Sequence, residues 1–407
     1  MNSALRIAVI NHVHPMRAHV SALRMRTFSE KLAQQGAQVL LLSSPPDDRD
    51  PGTVPTDAAA RLEGHDWTQP LYLSCKPGPG TLIEKAREGR LPGGIRQAVL
   101  GWSYLIQGGV FADWRNAVAP LLPTIADRFK PDVVFATFGN TDAWLIAQAL
   151  AVETGCPWVA DLKDNWSAFI PPGFRRITAN RFADMAHMTV YSESHRREAE
   201  KWFGADKTVI YSGYDHGATI HAPLPPVSNI IVLSGSLYDD EHVRTLCDGI
   251  RVFVAASKSR EPPSLQYAGN DTGRFAVAAA MLADVCPAKD MGYLAAAELA
   301  ALQSSAIANV YIENPRSLFQ QKVLEVLAAG RPVIAIPDEG PEACRIAGDV
   351  GGILTRCGDA EAVAEALTSA STVDSAAAAP EKIAAYSWAA QGNRLRDILL
   401  RVAGKTS

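Results

Sequence analysis

The chain has 407 residues, 47% of them apolar and 20% charged, and a formal net charge of −4. That length exceeds one ordinary core and suits two domains of about 200 residues each. The near-neutral balance supplies no field for a polyanion, which sets nucleic acid aside, and six dispersed cysteines without a CxxC pair support neither a zinc site nor a disulfide framework.

The opening "MNSALRIAVINHVHP" carries one apolar run. The run is too short for a signal h-region or a membrane span and reads as a first buried strand of a cytoplasmic protein. "ALRMRTFSEKLAQQG" follows as an amphipathic helix ending at Gly36, and "AQVLLLSS" as a second strand, which completes a βαβ unit. Further on, "PDVVFATFG", "PWVADLKD", "AHMTVYSE" and "KTVIYSG" read as strands, with "TDAWLIAQALAVETG" a helix closed by Gly155. Short continuous apolar strands alternating with helices predict a parallel sheet covered on both faces.

Residues 45–120 break this rhythm. "SPPDDRDPGTVP" is a turn-rich loop, and the stretch from Gly93 to Phe129 is helical with glycine interruptions. Its Trp102, Tyr104, Phe111 and Trp114 admit two readings, a membrane-surface or acceptor platform and packing inside the domain; their helical spacing favours packing.

Around 215–230, "DHGATIHAPLPPVSN" is rich in Pro, Gly and small polar residues and marks a linker. The alternation then restarts with "NIIVLSGSLY", "HVRTLCDGIRVFVAAS", "SLQYAGN" and "AIANVYIEN", and it reaches "SLFQQKVLEVLAAGRPVIAIPDEG", a helix feeding a buried strand. Two doubly wound units in series place their ligand sites at the carboxyl ends of the strands. The loops there are small, glycine-containing or polar, as a phosphate-bearing ligand requires, yet no Walker A, GxGxxG, GxSxG or HExxH sequence is present.

At this point the residues carry a resemblance. "PDVVFATFGNTDAWLIAQALAVETGCPWVADLKDNW" resembles the N-terminal domain of GT-B-fold glycosyltransferases of family four, in the branch with an Asp-Phe-Arg-Asp-x-Trp stretch. Here that stretch reads Asp161-Leu162-Lys163-Asp164-Asn165-Trp166, and the family's Asn-Gly-x-Asp approach to the linker reads Ser212-Gly213-Tyr214-Asp215. "SGSLY", "YAGND" and "KVLEVLAAGRPVIA" are similar to the start, middle and donor-binding helix of the family's C-terminal domain, and "YSWAAQGNRLRDILL" to its last helix. The resemblance implies an α/β chain with two Rossmann-like domains facing a cleft. These are an acceptor-side domain at 1–218, a donor-binding domain at 219–385 and a final helix at 386–407 that packs back on the first domain.

The resemblance also implies roles for residues. Glu325 matches the glutamate that holds the donor ribose, and a carboxylate is suited to accept two hydroxyl hydrogen bonds; the alternative is an exposed helix residue paired with Lys322. Gly235 opens the C-terminal domain. Where many members carry an arginine, a lysine and a second glutamate, this chain has Ser236, Glu241 and Ser317, so Arg244 and Lys322 become the expected cations for the diphosphate. On the acceptor side, Asn140 or Asp142 stands where many members have a sugar-contacting histidine. Read from the residues themselves, Arg24 and Arg26 either clamp an anionic acceptor or phosphate or are solvated, with at most one functional at a spacing of two and Arg24 preferred, and Trp166 is either a sugar platform or a structural residue. Asp142 and Asp164 are the candidate catalytic carboxylates. His14, with His12 and His19, lies in the loop after the first strand, at a spacing that suits loop hydrogen bonding or substrate orientation better than a metal.

The expected function is transfer of a sugar from a nucleotide donor to an acceptor hydroxyl with retention and without a metal or other cofactor. The settings implied are polysaccharide, glycolipid or secondary-metabolite glycosylation in the cytoplasm or at the inner membrane face. Two alternatives stay open: a nucleotide-sugar 2-epimerase and a non-catalytic relative that binds or scaffolds. The acceptor and the oligomeric state are not legible.

Overall fold

The computed structural model describes residues 4–214, 224–257, 261–373 and 380–405. Its first sheet comprises β1 (Arg6–Ile10), β2 (Gln38–Ser43), β3 (Leu71–Ser74), β4 (Val133–Thr137), β5 (Trp158–Leu162), β6 (His187–Val190) and β7 (Lys207–Val209), in the order β3-β2-β1-β4-β5-β6-β7. The second comprises β8 (Ile230–Ser234), β9 (Ser264–Ala268), β10 (Ala288–Asp290), β11 (Ala308–Ile312), β12 (Val333–Ile336) and β13 (Leu354–Arg356), in the order β10-β9-β8-β11-β12-β13. The pairings on both sides of β1 and β8 are parallel, with Ile7 opposite Val133 and Ile231 opposite Ala308.

The central strands are buried along almost their whole length, which is why they read as unbroken apolar runs rather than alternating ones. Helix ends follow local chemistry. Asn140 Oδ1 caps the helix Thr141–Thr154 by accepting from Ala143 N at 3.1 Å, and Gly155 ends it with φ +71°, a left-handed conformation that glycine adopts without strain. Three strands lie outside the sequence expectation. β3, β10 and β13 are edge strands of three or four residues, and β10 and β13 carry charged residues, so none offers a periodic apolar signal.

The chain forms two compact units, Met1–Tyr211 with Gln391–Ser407, and Ser212–Ala390. Much of the expected linker, at 215–223, lies outside the described residues, as does Asp215 of the resemblance. The first unit is packed around aromatic residues: Trp144 stacks on Trp166 at 14° between ring planes, with Phe138, Phe182 and Phe203 against them. The second is aliphatic, with Ile231, Leu246, Ile250, Val310 and Leu367 at its centre.

One packing expectation is corrected. Trp114 is fully buried and Tyr104 and Phe111 are half-buried, but Trp102 is 64% exposed. The helix Gly93–Trp102 has no buried residue at all; Val99 and Leu100 are half-buried, and Ile95 and Trp102 face solvent.

Candidate functional site

In each sheet the strand order reverses beside the first strand of the unit, between β1 and β4 and between β8 and β11. Crevices at such switch points, beyond the strand carboxyl ends, are where doubly wound sheets bind ligands. The second unit holds the more complete constellation.

Its floor is the turn after β8. Gly235 has φ +86°, and a Cβ there would collide with Lys322 Nζ, so glycine is required both by the backbone and by the lysine. Gly269 plays the same part after β9, where a Cβ would strike the Tyr267 hydroxyl and the Gly235 carbonyl. That hydroxyl donates to Gly235 O at 3.0 Å and accepts from Asp271 N at 2.9 Å, and Asp271 in turn accepts from Leu237 N at 2.7 Å. The two turns are thereby locked together. Substituting Gly235 with alanine is expected to cost roughly 1–3 kcal/mol of stability in denaturant titrations and to displace the lysine.

Lys322 opens the helix Lys322–Ala328. Its Nζ donates to Ser234 O at 3.3 Å and faces the rings of Tyr238 and Tyr311, each at 5.7 Å. An ammonium has three N–H donors, and among the described residues this one has a single acceptor. Burial lowers its pKa to about 8 against the opposing pull of Glu325, Asp271 and Glu339. An underpartnered, desolvated cation at a strand-end crevice is suited to an anionic ligand.

Glu325 lies one turn along the same helix. Burial raises its pKa, opposed by Gln321 and Lys322, and its Oε1 accepts from Gln321 Nε2 at 3.0 Å. Beyond β11 and β12 stands an acidic group that the sequence reading did not assign. Glu339 is 6% exposed and accepts from the Tyr311 hydroxyl at 2.7 Å and from Gly340 N at 2.8 Å; Glu313 has its pKa raised by burial and by Glu339 and Asp338, with His242 acting the other way. The signal for Glu339 was the "PDEG" that ends the strand, a carboxylate at the carboxyl end beside the switch point.

The other donor-side expectations separate from this group. Ser236 is exposed in the turn beside Gly235. Ser317 precedes the helix, which begins later than expected, and its hydroxyl donates to Phe319 O at 2.7 Å. Arg244 is exposed on the helix Asp240–Ala256, where it lines a pocket with Gly273, Arg274 and Met281 and not the Lys322 crevice.

In the first unit most acceptor-side expectations are occupied by structure. Arg24 is 1% exposed; its Nε and Nη2 donate to the two oxygens of Asp161 at 3.1 and 2.8 Å, and Nη2 also to Ile210 O. Asp161 is fully buried and accepts from Thr137 and Thr189 as well. This corrects Arg24 as an anion clamp: its fork is turned inward onto a carboxylate. Trp166 is likewise a core residue at 0% exposure rather than a sugar platform, and Asn140 serves as the helix cap.

Asp142 is also fully buried. It accepts from Phe111 N at 2.8 Å and pairs with Arg115 at 2.9 Å, while burial pushes its pKa up. Its contacts tie the segment after Gln107 to the helix Thr141–Thr154, which is a structural task. Asp164 is half-buried and paired with Lys163 at 2.7 Å. His14 accepts from Met16 N through Nδ1 at 3.1 Å and borders a cleft of about 580 Å³ with Asp50, Arg61, Tyr72 and Ser74; burial lowers its pKa. His12 packs against Phe111 and Trp114, and its pKa falls to about 4 through burial. Among the described residues no group of three or more His, Cys, Asp or Glu side chains is placed to hold a metal ion.

No protein-family model and no curated protein matches the sequence. Solved structures do match, over the whole chain. A sucrose-phosphate synthase from Thermosynechococcus elongatus is 17% identical with a TM-score of 0.63, covering 98% of this chain and 99% of its own. Anabaena HepE, solved with UDP and glucose, is 14% identical with a TM-score of 0.61, at 98% and 100% coverage. The UDP-GlcNAc 2-epimerase from Methanocaldococcus jannaschii is 12% identical with a TM-score of 0.57, again at 98% and 100%. At these identities the likeness speaks for the fold alone, and it is end to end: the chain has the α/β GT-B fold of two parallel-sheet, Rossmann-like domains.

Proposed function

We propose that the protein is a glycosyltransferase that takes its sugar from a nucleotide donor, UDP-linked in the first instance, and passes it to an acceptor hydroxyl with retention. The observation that carries this reading is Lys322, a half-buried ammonium with one carbonyl partner, set over Gly235 at the switch point with Glu325 a turn away. A diphosphate supplies the missing acceptors, and the ribose hydroxyls suit the carboxylate. The UDP and UDP-glucose complexes of HepE, which shares the fold, support a uridine donor.

In this reading the bond between the anomeric carbon and the diphosphate oxygen breaks as the bond to the acceptor oxygen forms on the same face. The acceptor proton passes to the departing diphosphate. Lys322 stabilises the charge that develops on that leaving group, and no step is routed through a metal.

Two measurements test the assignment. Replacing Glu325 with alanine is expected to weaken UDP binding roughly 10- to 100-fold, the range for hydrogen bonds to a charged group, while leaving binding of the 2′,3′-dideoxy analogue unchanged. Equal losses for both ligands would remove Glu325 from the ribose. UDP affinity is also expected to fall as pH rises, because the lysine must carry its proton to meet the diphosphate. With its pKa at about 8 in the free protein, the loss between pH 7 and 9 is roughly tenfold, and Lys322→Met removes the dependence.

One observation favours a second reading. Glu313, Asp338 and Glu339, with His242 near Glu313, form the kind of acidic neighbourhood that a nucleotide-sugar 2-epimerase uses, and the fold is shared with such an enzyme. Conversion of the donor sugar without any acceptor would establish it in place of transfer.

A further inference from the structure

The helix Gly93–Trp102 and the π-helical turn Ser103–Gln107 that continues it pack some apolar side chains and leave four large ones in solvent. Ile95, Trp102, Leu105 and Ile106 are each 55% exposed or more, and Ile95 and Trp102, seven residues apart on the α-helix, share a face that the π turn continues with Leu105 and Ile106. The opposite face, with Ser103 buried and Leu100 and Tyr104 half-buried, is the one that packs. A helix of a freely soluble surface carries polar residues at positions as exposed as these four.

A second exposed apolar element borders this one. The helix Arg175–Asn180 carries Ile177 at 71% exposure, and Arg181 at its end brings its guanidinium against Gly108, the residue that closes the π turn. Phe169, just before it in the chain, is 53% exposed. Residues 82–108 and 165–183 together hold seven Lys or Arg and two Asp or Glu, in a chain whose overall formal charge is −4. Arg87 is paired with Asp113 and Arg90 with Glu88, so the cations of these two stretches that lack a carboxylate partner among the described residues are Lys85, Arg96, Arg175, Arg176 and Arg181. Arg96, Arg176 and Arg181 are all exposed there.

We propose that this face docks on the surface of an anionic lipid bilayer, with Trp102, Ile106 and Ile177 entering the headgroup and acyl boundary and the arginines meeting lipid phosphates. An interfacial tryptophan on an apolar stripe edged with arginine is the chemistry of a helix that lies in the membrane plane. Among the described residues no helix is long and apolar enough to cross a membrane, so the contact is peripheral. A second copy of the chain is a poorer occupant, because a twofold interface would set the same basic residues against themselves. The inference does not depend on the transfer reaction, and its test reads binding alone.

The test is sedimentation of the full chain with phosphatidylcholine vesicles, with and without phosphatidylglycerol, at low and high salt. Binding is expected only with the anionic lipid and is expected to weaken with salt. Trp102→Ser with Ile106→Ser is expected to reduce it roughly tenfold or more with an unchanged thermal midpoint, because these side chains are exposed, and Arg176→Ala with Arg181→Ala to lessen its salt dependence. No binding by the wild-type chain, or binding that both variants leave intact, overturns the proposal. So does a dimer in solution that the apolar variant dissociates, which would make a second chain the occupant.

Discussion

Lys322→Met is expected to weaken nucleotide binding roughly 100-fold without unfolding the protein. The substitution keeps an unbranched side chain of similar length beneath Tyr238 and Tyr311 and removes only the charge. In the free protein that charge is a burden. Its pKa is lowered to about 8, so at neutral pH, where folded and unfolded chains both carry the proton, the full cost of burying it is present; the cost is relieved only as pH rises from about 8 towards the ordinary lysine value. Thermal stability of the unliganded variant is therefore expected to equal or exceed that of the wild type at pH 7. Affinity moves the other way. Loss of a desolvated cation opposite a diphosphate is expected to cost roughly 100-fold, about 2.7 kcal/mol, by titration calorimetry. A purely structural lysine would show neither the gain nor the loss.

The second large effect is in the first unit. Asp161→Ala is expected to destabilise the protein by about 3–5 kcal/mol in urea titrations, because it strands the Arg24 guanidinium in a site where Arg24 and Asp161 are 1% and 0% exposed. Thr137 loses its acceptor at the same time, while Thr189 keeps Ala160 O at 3.5 Å and Ile210 O keeps its donor. Converting both partners, Arg24→Met with Asp161→Leu, is expected to recover most of that loss, since the burial cost of the pair disappears with the pair. If the double variant is no more stable than Asp161→Ala, the hydroxyl network rather than the ion pair holds β4, β5 and β6 together.

Those two sites show where the sequence was informative. The parallel sheets could be read directly, because a strand covered on both faces is apolar at every position, and the helix ends at Gly36 and Gly155 were marked by residues that alone take a left-handed turn easily. In the segment from Ser317 to Gly340 the resemblance singles out Lys322 and Glu325, which lie one turn apart on the same helix. Pairings across the chain did not show. Arg24 and Asp161 are 137 positions apart, and nothing local says that a guanidinium at the start of a helix will be spent on a strand-end carboxylate. Asp142 stands among the candidate catalytic carboxylates for the same reason, its partner Arg115 lying in the glycine-interrupted region whose fold the pattern leaves open. The exposed stripe at Trp102 is the complementary case: helical spacing reports that apolar residues share a face but not which way that face turns.

Titration calorimetry of the wild-type protein at pH 7 against UDP, GDP, ADP, TDP and CMP and their sugar conjugates tests the central claim most directly. A single nucleoside diphosphate series, UDP first, is predicted to bind one-to-one, with the matching monophosphate markedly weaker because it lacks the phosphate that Lys322 awaits. Absence of binding across the whole panel, or equal binding of monophosphate and diphosphate, would contradict it.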